Sequence, residues 1–341
     1  MLAKKNNVAV LGTGAWATAL ACCASLNGNL TKLWGINQNE IDDVNKGFNK
    51  RVFGEKRLFA PLFATNDFSQ VVCKANVVII AVPSIFIEEV LRKTFAFFVK
   101  NPPSNRNFCL DIVNVAKGFD PKTNTVWSKT ISKYLKKCSF KGNLVSIIGP
   151  SFAVDVINQC PTAVNAVSSS KLAAKRISRL LSTNFFVIKT ISDEMGAQVL
   201  SALKNFLAIG VGILDSAFKS ANTNAMILTL GIGEMRRLCS VFGFSERTLF
   251  ELCGIGDVFL TCSSKKSRNF SFGQRLYELN SVSKAREQSV TIEGYHVAKI
   301  VEKLISKNHL KLPIFRLLTN VLNEKIKPKD FVKEFVKVVK S

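Results

Sequence analysis

Five short stretches of this chain carry residue types that could do chemistry. The first is Gly12-Thr13-Gly14-Ala15-Trp16-Ala17, which follows the apolar run Val8–Leu11 and opens a helical pattern. Gly12 permits a tight turn, Gly14 lets the backbone approach a pyrophosphate, and Ala17 allows a helix to pack closely on a sheet. Amides at the start of such a helix then hold negative charge. The spacing predicts dinucleotide binding, although an ordinary glycine turn in an α/β fold reads the same way. After the next strand one expects an acid for ribose hydroxyls or an arginine for a 2′-phosphate. The chain has Gly35-Ile36-Asn37 there, so neither discriminator stands in the obvious place.

The other four stretches supply charge and hydroxyls. Lys117, in Ala116-Lys117-Gly118, falls at the carboxyl edge of a strand, where α/β ligands bind; a solvated lysine would look alike. Gly149-Pro150-Ser151-Phe152-Ala153 repeats the strand-end-to-helix arrangement, or is a plain turn. Lys204-Asn205 lies inside the apolar stretch Leu200–Leu214. A lysine there is costly to bury unless it is paired, its pKa is shifted for use, or it snorkels to an edge. Gly254–Cys262, with Asp257 and Thr261, leads to Ser267-Arg268-Asn269. Together they offer a carboxylate, a hydroxyl and a phosphate-capable guanidinium, though the run alone also reads as a solvated loop.

The elements that must position these residues change character near residue 190. Before it, buried strands at 8–11, 30–34, 77–82, 108–113 and 144–148 alternate with helical patterns such as 85–99 and 125–136. That alternation predicts an α/β fold: an N-terminal Rossmann-like doubly wound parallel sheet with helices on both faces. After it, amphipathic stretches at 194–214, 225–242 and 293–306 predict an all-helical C-terminal domain, and 329–341 a short basic amphipathic helix. The expected division is 1–190, a dinucleotide-binding domain, and 191–341, a substrate and catalytic domain.

Composition bounds the reading. With 341 residues and 47% hydrophobic side chains, the chain has material for two cores, so disordered and fibrous classes are excluded. Its 47 Lys plus Arg against 24 Asp plus Glu give a net charge of +23, spread diffusely and without a nucleic-acid-binding motif. No nucleic-acid partner is expected. Nine cysteines without a CxxC pair predict reduced, buried thiols in a cytoplasmic protein. His296 and His309 are too few for most zinc sites, and no metal is expected. Gly12 and Gly14 break the N-terminal apolar stretch, which reads as strand, turn and helix rather than a secretory signal. The apolar segment 205–214 is too short to span a bilayer, so no integral membrane association is expected.

Taken in order, GTGAWATALA, VAKGFD, GPSFA, LKNFLAIGVG, GIGDVFLTC with SRN, and IEGY resemble the NAD(P)-dependent glycerol-3-phosphate dehydrogenases, the bacterial type most closely. The similarity runs from about residue 7 to residue 325. It implies hydride transfer between NAD(P)H and dihydroxyacetone phosphate, giving sn-glycerol 3-phosphate for glycerophospholipid synthesis. It implies cofactor contacts at Gly12, Gly14, Ala15, Trp16, Lys117, Ala153, Arg268, Thr291 and Glu293. It implies substrate contacts at Lys117, Gly149, Ser151, Lys204, Asp257, Ser267, Arg268 and Asn269. Lys204 matches the family's proton acceptor, with Lys117 and Asp257 beside it in catalysis. The choice between NAD and NADP stays open, as does a homodimer.

Departures from the family are few. Leu230 replaces a common arginine, Asn224 a basic residue, Ala17 a frequent glycine, and Thr291 a usually apolar side chain. Two rivals remain: a related dehydrogenase of another small hydroxy acid, and a non-enzymatic basic binding protein on the same scaffold.

Overall fold

A computed structural model describes residues 5–340 except 106, 121, 139, 290 and 291. The chain forms two compact units, Met1–Ala116 with Trp127–Glu194, and Lys117–Val126 with Met195–Ser341. The excursion Lys117–Val126 therefore belongs with the second unit, whereas a single cut at residue 190 keeps it in the first. Its tie is apolar: Val126 lies in the second unit's core, and Phe119 packs 6.4 Å from Phe242.

The first unit is built on one sheet. Its strands are β1 (Asn7–Leu11), β2 (Leu30–Trp34), β3 (Phe63–Thr65), β4 (Val77–Ile80), β5 (Cys109–Asn114), β6 (Lys141–Ile148), β7 (Thr162–Val167) and β8 (Phe186–Ile191). They lie in the order β3-β2-β1-β4-β5-β6-β7-β8. Val77–Ile80 is wholly buried, as a strand covered on both faces must be. From β1 the sheet grows one way to β2 and the other way to β4, so the switch point lies at the carboxyl end of β1.

One pairing breaks the expected parallel rule: β7 runs antiparallel to β6, and β8, parallel to β7, shares its direction. The helix between them, Ala153–Ile157, has only five residues, about 8 Å of rise. That rise is short against the roughly 26 Å of the eight-residue β6, and β7 returns antiparallel alongside it. Arg176, from helix Lys171–Leu181, grips Asp111 of β5 with both Nε and Nη2, at 2.5 and 2.6 Å.

The second unit packs around helix Glu194–Phe218, whose residues 196–214 are all buried. By length and composition this 25-residue helix could cross a membrane, longer than the apolar segment read from the sequence. Its apolar window is buried inside the protein, the mark of a core helix. Helix Arg268–Leu279 crosses it so closely that a Cβ on Gly212 would meet the Phe270 carbonyl oxygen at 2.1 Å. Helix Ala221–Phe242 lies alongside, and its Glu234 caps helix Pro313–Leu322 by accepting from the Ile314 and Phe315 amides at 2.8 Å each. The expected burial of the thiols holds for Cys22, Cys23, Cys239, Cys253 and Cys262, while Cys73 and Cys160 are exposed. These two sit on surface turns after short helices, where nothing packs over them.

Candidate active site

In the first unit the turn after β1 is built for an anion. Gly12 has φ +124°, and a Cβ there would lie 2.5 Å from the Ala81 carbonyl oxygen, so only glycine fits. Its amide donates to Trp34 O at 2.8 Å, pinning the turn to β2. Gly14 caps helix Ala15–Leu26 without any side-chain hydrogen bond, and the first turn holds no acidic residue. A Cβ on Gly14 would meet nothing within 4 Å, so the turn is open on that side. The Ala15 and Trp16 amides are thus free to meet negative charge, reinforced by the helix dipole. Trp16 is half-buried, its ring edge-on to Phe186 at 6.0 Å.

The second glycine turn of this unit suits an anion less well. A Cβ on Gly149 would lie 2.8 Å from Val164 Cα, so its glycine serves the packing of β6 on β7. Ser151 Oγ donates to Gly149 O at 3.2 Å, and Asp155 stands in the first turn of the short helix that begins at Ala153.

The sequence reading missed a network at the carboxyl end of β2. Glu40 lies on helix Gln38–Asn45, which Asn37 caps by accepting from the Glu40 amide. Glu40 is 6% exposed, and its side chain accepts from Thr13 Oγ1 at 2.6 Å, inside the glycine turn. Its other oxygen takes Arg51 Nε at 2.6 Å, and Arg51 is 63% exposed. Asn49, buried, donates to Thr13 O at 2.8 Å. The sequence leads one to expect an acid at positions 35–37; Glu40, the next carboxylate along, is the signal that marks the network.

In the second unit, three charged residues far apart in sequence meet. Lys204 and Asp257 form a direct ion pair, 2% and 1% exposed, and Lys117 approaches the other Asp257 oxygen at 3.8 Å. Lys204 Nζ also donates to Thr261 Oγ1 at 3.0 Å. Local sequence explains the placement of Asp257. The π-turn Leu252–Gly256 brings Gly254 against the Leu249 carbonyl oxygen, where a Cβ would lie at 2.3 Å, and so turns the chain into helix Asp257–Cys262. Burial pushes the Lys204 ammonium down to about 8; Asp257 opposes the fall and Lys117 adds to it. For Lys117 burial works the same way, but Asp257 and Glu293 outweigh it, and its pKa is raised.

A second cluster adjoins this one. Ser267 caps helix Arg268–Leu279, leaving Arg268 60% exposed at its first turn. Glu293 accepts from Asn205 Nδ2 at 2.7 Å and stands 3.8 Å from Arg268 Nη2. Asn269 Oδ1 accepts the Gly294 amide at 2.9 Å, which leaves its Nδ2 to donate. A Cβ on Gly294 would lie 2.3 Å from Asn205 O, so the glycine of IEGY is there for helix contact. A guanidinium and the free hydroxyl proton of the capping serine, at a helix N-terminus, are groups that can donate to a phosphate. Thr291 lies outside the described residues. Leu230 is 38% exposed, and Asn224 donates to Asp215 at 2.8 Å, where Gln274 donates to its other oxygen. His296 and His309 enter neither cluster, and no group of three or more His, Cys, Asp or Glu among the described residues could hold a metal ion.

A doubly wound sheet with free amides at its switch point, joined in one chain to a buried lysine held by a carboxylate, suits nicotinamide-dependent oxidoreduction. Residues 7–174 match the model of the NAD-dependent glycerol-3-phosphate dehydrogenase N-terminus, and residues 193–333 that of its C-terminus. A Malacoplasma penetrans protein named glycerol-3-phosphate dehydrogenase (NAD(P)+) is 38% identical over 329 residues, 96% of each chain. One so named from Mesoplasma florum is 33% identical, covering 98% of this chain and 99% of its own. The crystal structure of the Coxiella burnetii glycerol-3-phosphate dehydrogenase superposes with a TM-score of 0.84 at 29% identity, covering 97% of this chain and 99% of that one. The chain belongs to the NAD-dependent glycerol-3-phosphate dehydrogenase family.

Proposed function

We propose that this chain interconverts sn-glycerol 3-phosphate and dihydroxyacetone phosphate, with the first unit holding NAD(P) and the second the acid–base group. The observation that carries the reading is Lys204: a lysine inside a core helix, paired with Asp257 and Thr261, with its pKa brought down to about 8. A group titrating there can both take and return a proton near neutrality. When bound, the nicotinamide supplies the hydride chemistry at carbon 2. Neutral Lys204 accepts the proton of the carbon 2 hydroxyl as glycerol phosphate is oxidised, and the ammonium returns it in reduction. Asp257 fixes the direction of Nζ, and Thr261 takes a second of its hydrogens. Arg268, Ser267 and Asn269 hold the phosphate, and Gly149 and Ser151 also contact the triose. Gly12, Gly14, Ala15, Trp16, Ala153, Thr291 and Glu293 serve the dinucleotide, with Lys117 and Arg268 near both ligands. With that activity go a cytoplasmic location and the supply of glycerol phosphate for glycerophospholipid synthesis.

The test is a two-by-two comparison of kcat/KM, parent and Arg268→Ala against dihydroxyacetone phosphate and unphosphorylated dihydroxyacetone. With the guanidinium gone, the phosphorylated substrate should lose about 2–4 kcal/mol. The unphosphorylated triose should be a poor substrate of both proteins and feel little of the change. Part of the loss should fall on kcat, since remote phosphate binding positions carbon 2. An equal penalty on both substrates would mean that Arg268 serves the cofactor or the fold.

A further inference from the structure

We infer that Arg51 is the residue that recognises a 2′-phosphate on the adenosine ribose, so that the first unit prefers the phosphorylated dinucleotide. The inference rests on the proposal that the glycine turn binds NAD(P), and it comes from how one carboxylate is used. In dinucleotide sites an acid beyond the second strand accepts from the ribose 2′-hydroxyl, and it repels a 2′-phosphate. This chain has such an acid in Glu40, but both its oxygens are engaged, one by Thr13 Oγ1 and one by Arg51 Nε. At 6% exposure it offers a ribose almost no surface.

What stands outward is the guanidinium. Glu40 bridges the glycine turn and Arg51, so Arg51 sits one carboxylate away from the turn that would hold the pyrophosphate. Using Nε for Glu40 leaves both terminal nitrogens as a fork, the donor geometry that matches two phosphate oxygens. The mount is stiff. Asn49, two residues before Arg51, is tied to Thr13 O and to Thr18 Oγ1 at 2.8 and 2.9 Å. Glu40 acts here as a positioning residue, converting a feature that would reject the 2′-phosphate into a support for the group that binds it. The neighbouring Lys50 is occupied by Glu55 at 3.0 Å, which leaves Arg51 to present the charge.

The experiment is calorimetric titration of the full chain with adenosine 2′,5′-bisphosphate and with 5′-AMP, and with NADPH and NADH. The parent should bind each 2′-phosphorylated ligand more tightly than its partner. Arg51→Ala should weaken adenosine 2′,5′-bisphosphate about 10- to 100-fold, the scale of a charged hydrogen-bonded contact, and move 5′-AMP less than about twofold. Arg51→Lys should restore part of the loss, because it returns charge without the fork. An equal effect of Arg51→Ala on both probes, or none on either, overturns the inference while leaving dinucleotide binding intact. If the parent binds neither NADH nor NADPH, the cofactor reading of the glycine turn falls, and this inference falls with it.

Discussion

The two units carry charge recognition by opposite means. At the glycine turn the first unit offers backbone: the helix Ala15–Leu26 begins without a side-chain cap, and its amides face an opening where even a Cβ would meet nothing. In the second unit the work is done by side chains, Lys117, Lys204, Asp257 and Thr261, contributed by an excursion and two helices. Backbone amides cannot titrate, so they suit a ligand that must be held whatever the pH. Proton transfer needs a group that gains and loses charge, and such a group is costly to bury alone. That cost is what lowers the Lys204 pKa and what Asp257 partly offsets.

The difference can be broken from either side, and the largest effect should come from the second unit. Lys204→Met removes the proposed proton acceptor but keeps a long apolar stem in the core. It should lower kcat by at least about 100-fold, and leave NADH affinity within about twofold in a fluorescence titration. Near-normal turnover would remove Lys204 from the chemistry. Substitutions at the turn should behave inversely. Gly14→Ala meets no atom of the protein and has an ordinary φ of −67°, so the fold should be unaffected. The added methyl would occupy the space that the pyrophosphate needs, weakening NADH binding about tenfold or more. Gly12→Ala drives a Cβ into the Ala81 carbonyl and should also lower Tm. If Gly14→Ala binds NADH as the parent does, the turn is not the cradle.

The same contrast decides what could be read in the sequence. A backbone site leaves a local trace, because the glycines that make it must be adjacent: strand, Gly12-x-Gly14 and helix are legible in ten residues. So are the long core helices, whose apolar spacing persists for many turns. The strands missed were those with weak patterns. β3 has three residues, β7 carries a buried Asn165, and β8 buries only alternate positions at the sheet's edge. The side-chain cluster is different. Lys117, Lys204 and Asp257 are separated by tens of residues, and spacing alone could not say that they meet; resemblance to a family supplied the connection. The Glu40–Thr13–Arg51 network escaped for both reasons, being formed by side chains and lying a few positions beyond the expected discriminator.

The finest test of the comparison is the pH dependence, because a backbone site should show almost none and the lysine site must. With Lys204 titrating at about 8, about a tenth of it is neutral at pH 7. Oxidation of glycerol phosphate needs the neutral amine, so its kcat/KM should rise about tenfold per pH unit towards 8 and then level. Reduction needs the ammonium, so its kcat/KM should be level below 8 and fall above it. The window lies clear of the substrate phosphate, which titrates at about pH 6. NADH affinity, measured separately, should stay flat from pH 7 to 9. The neighbours then give the sign of each influence. Lys117 lowers the Lys204 pKa, so in Lys117→Met the inflection should move to higher pH even as the rate drops. Asp257 raises it, so in Asp257→Asn the inflection should move to lower pH. The Asp257→Asn shift should resist added salt, because the Lys204–Asp257 pair is buried and the screening cloud cannot enter. Inflections that move the same way in the two variants would mean that some other group titrates near 8, and the second unit would lose the property that sets it apart from the first.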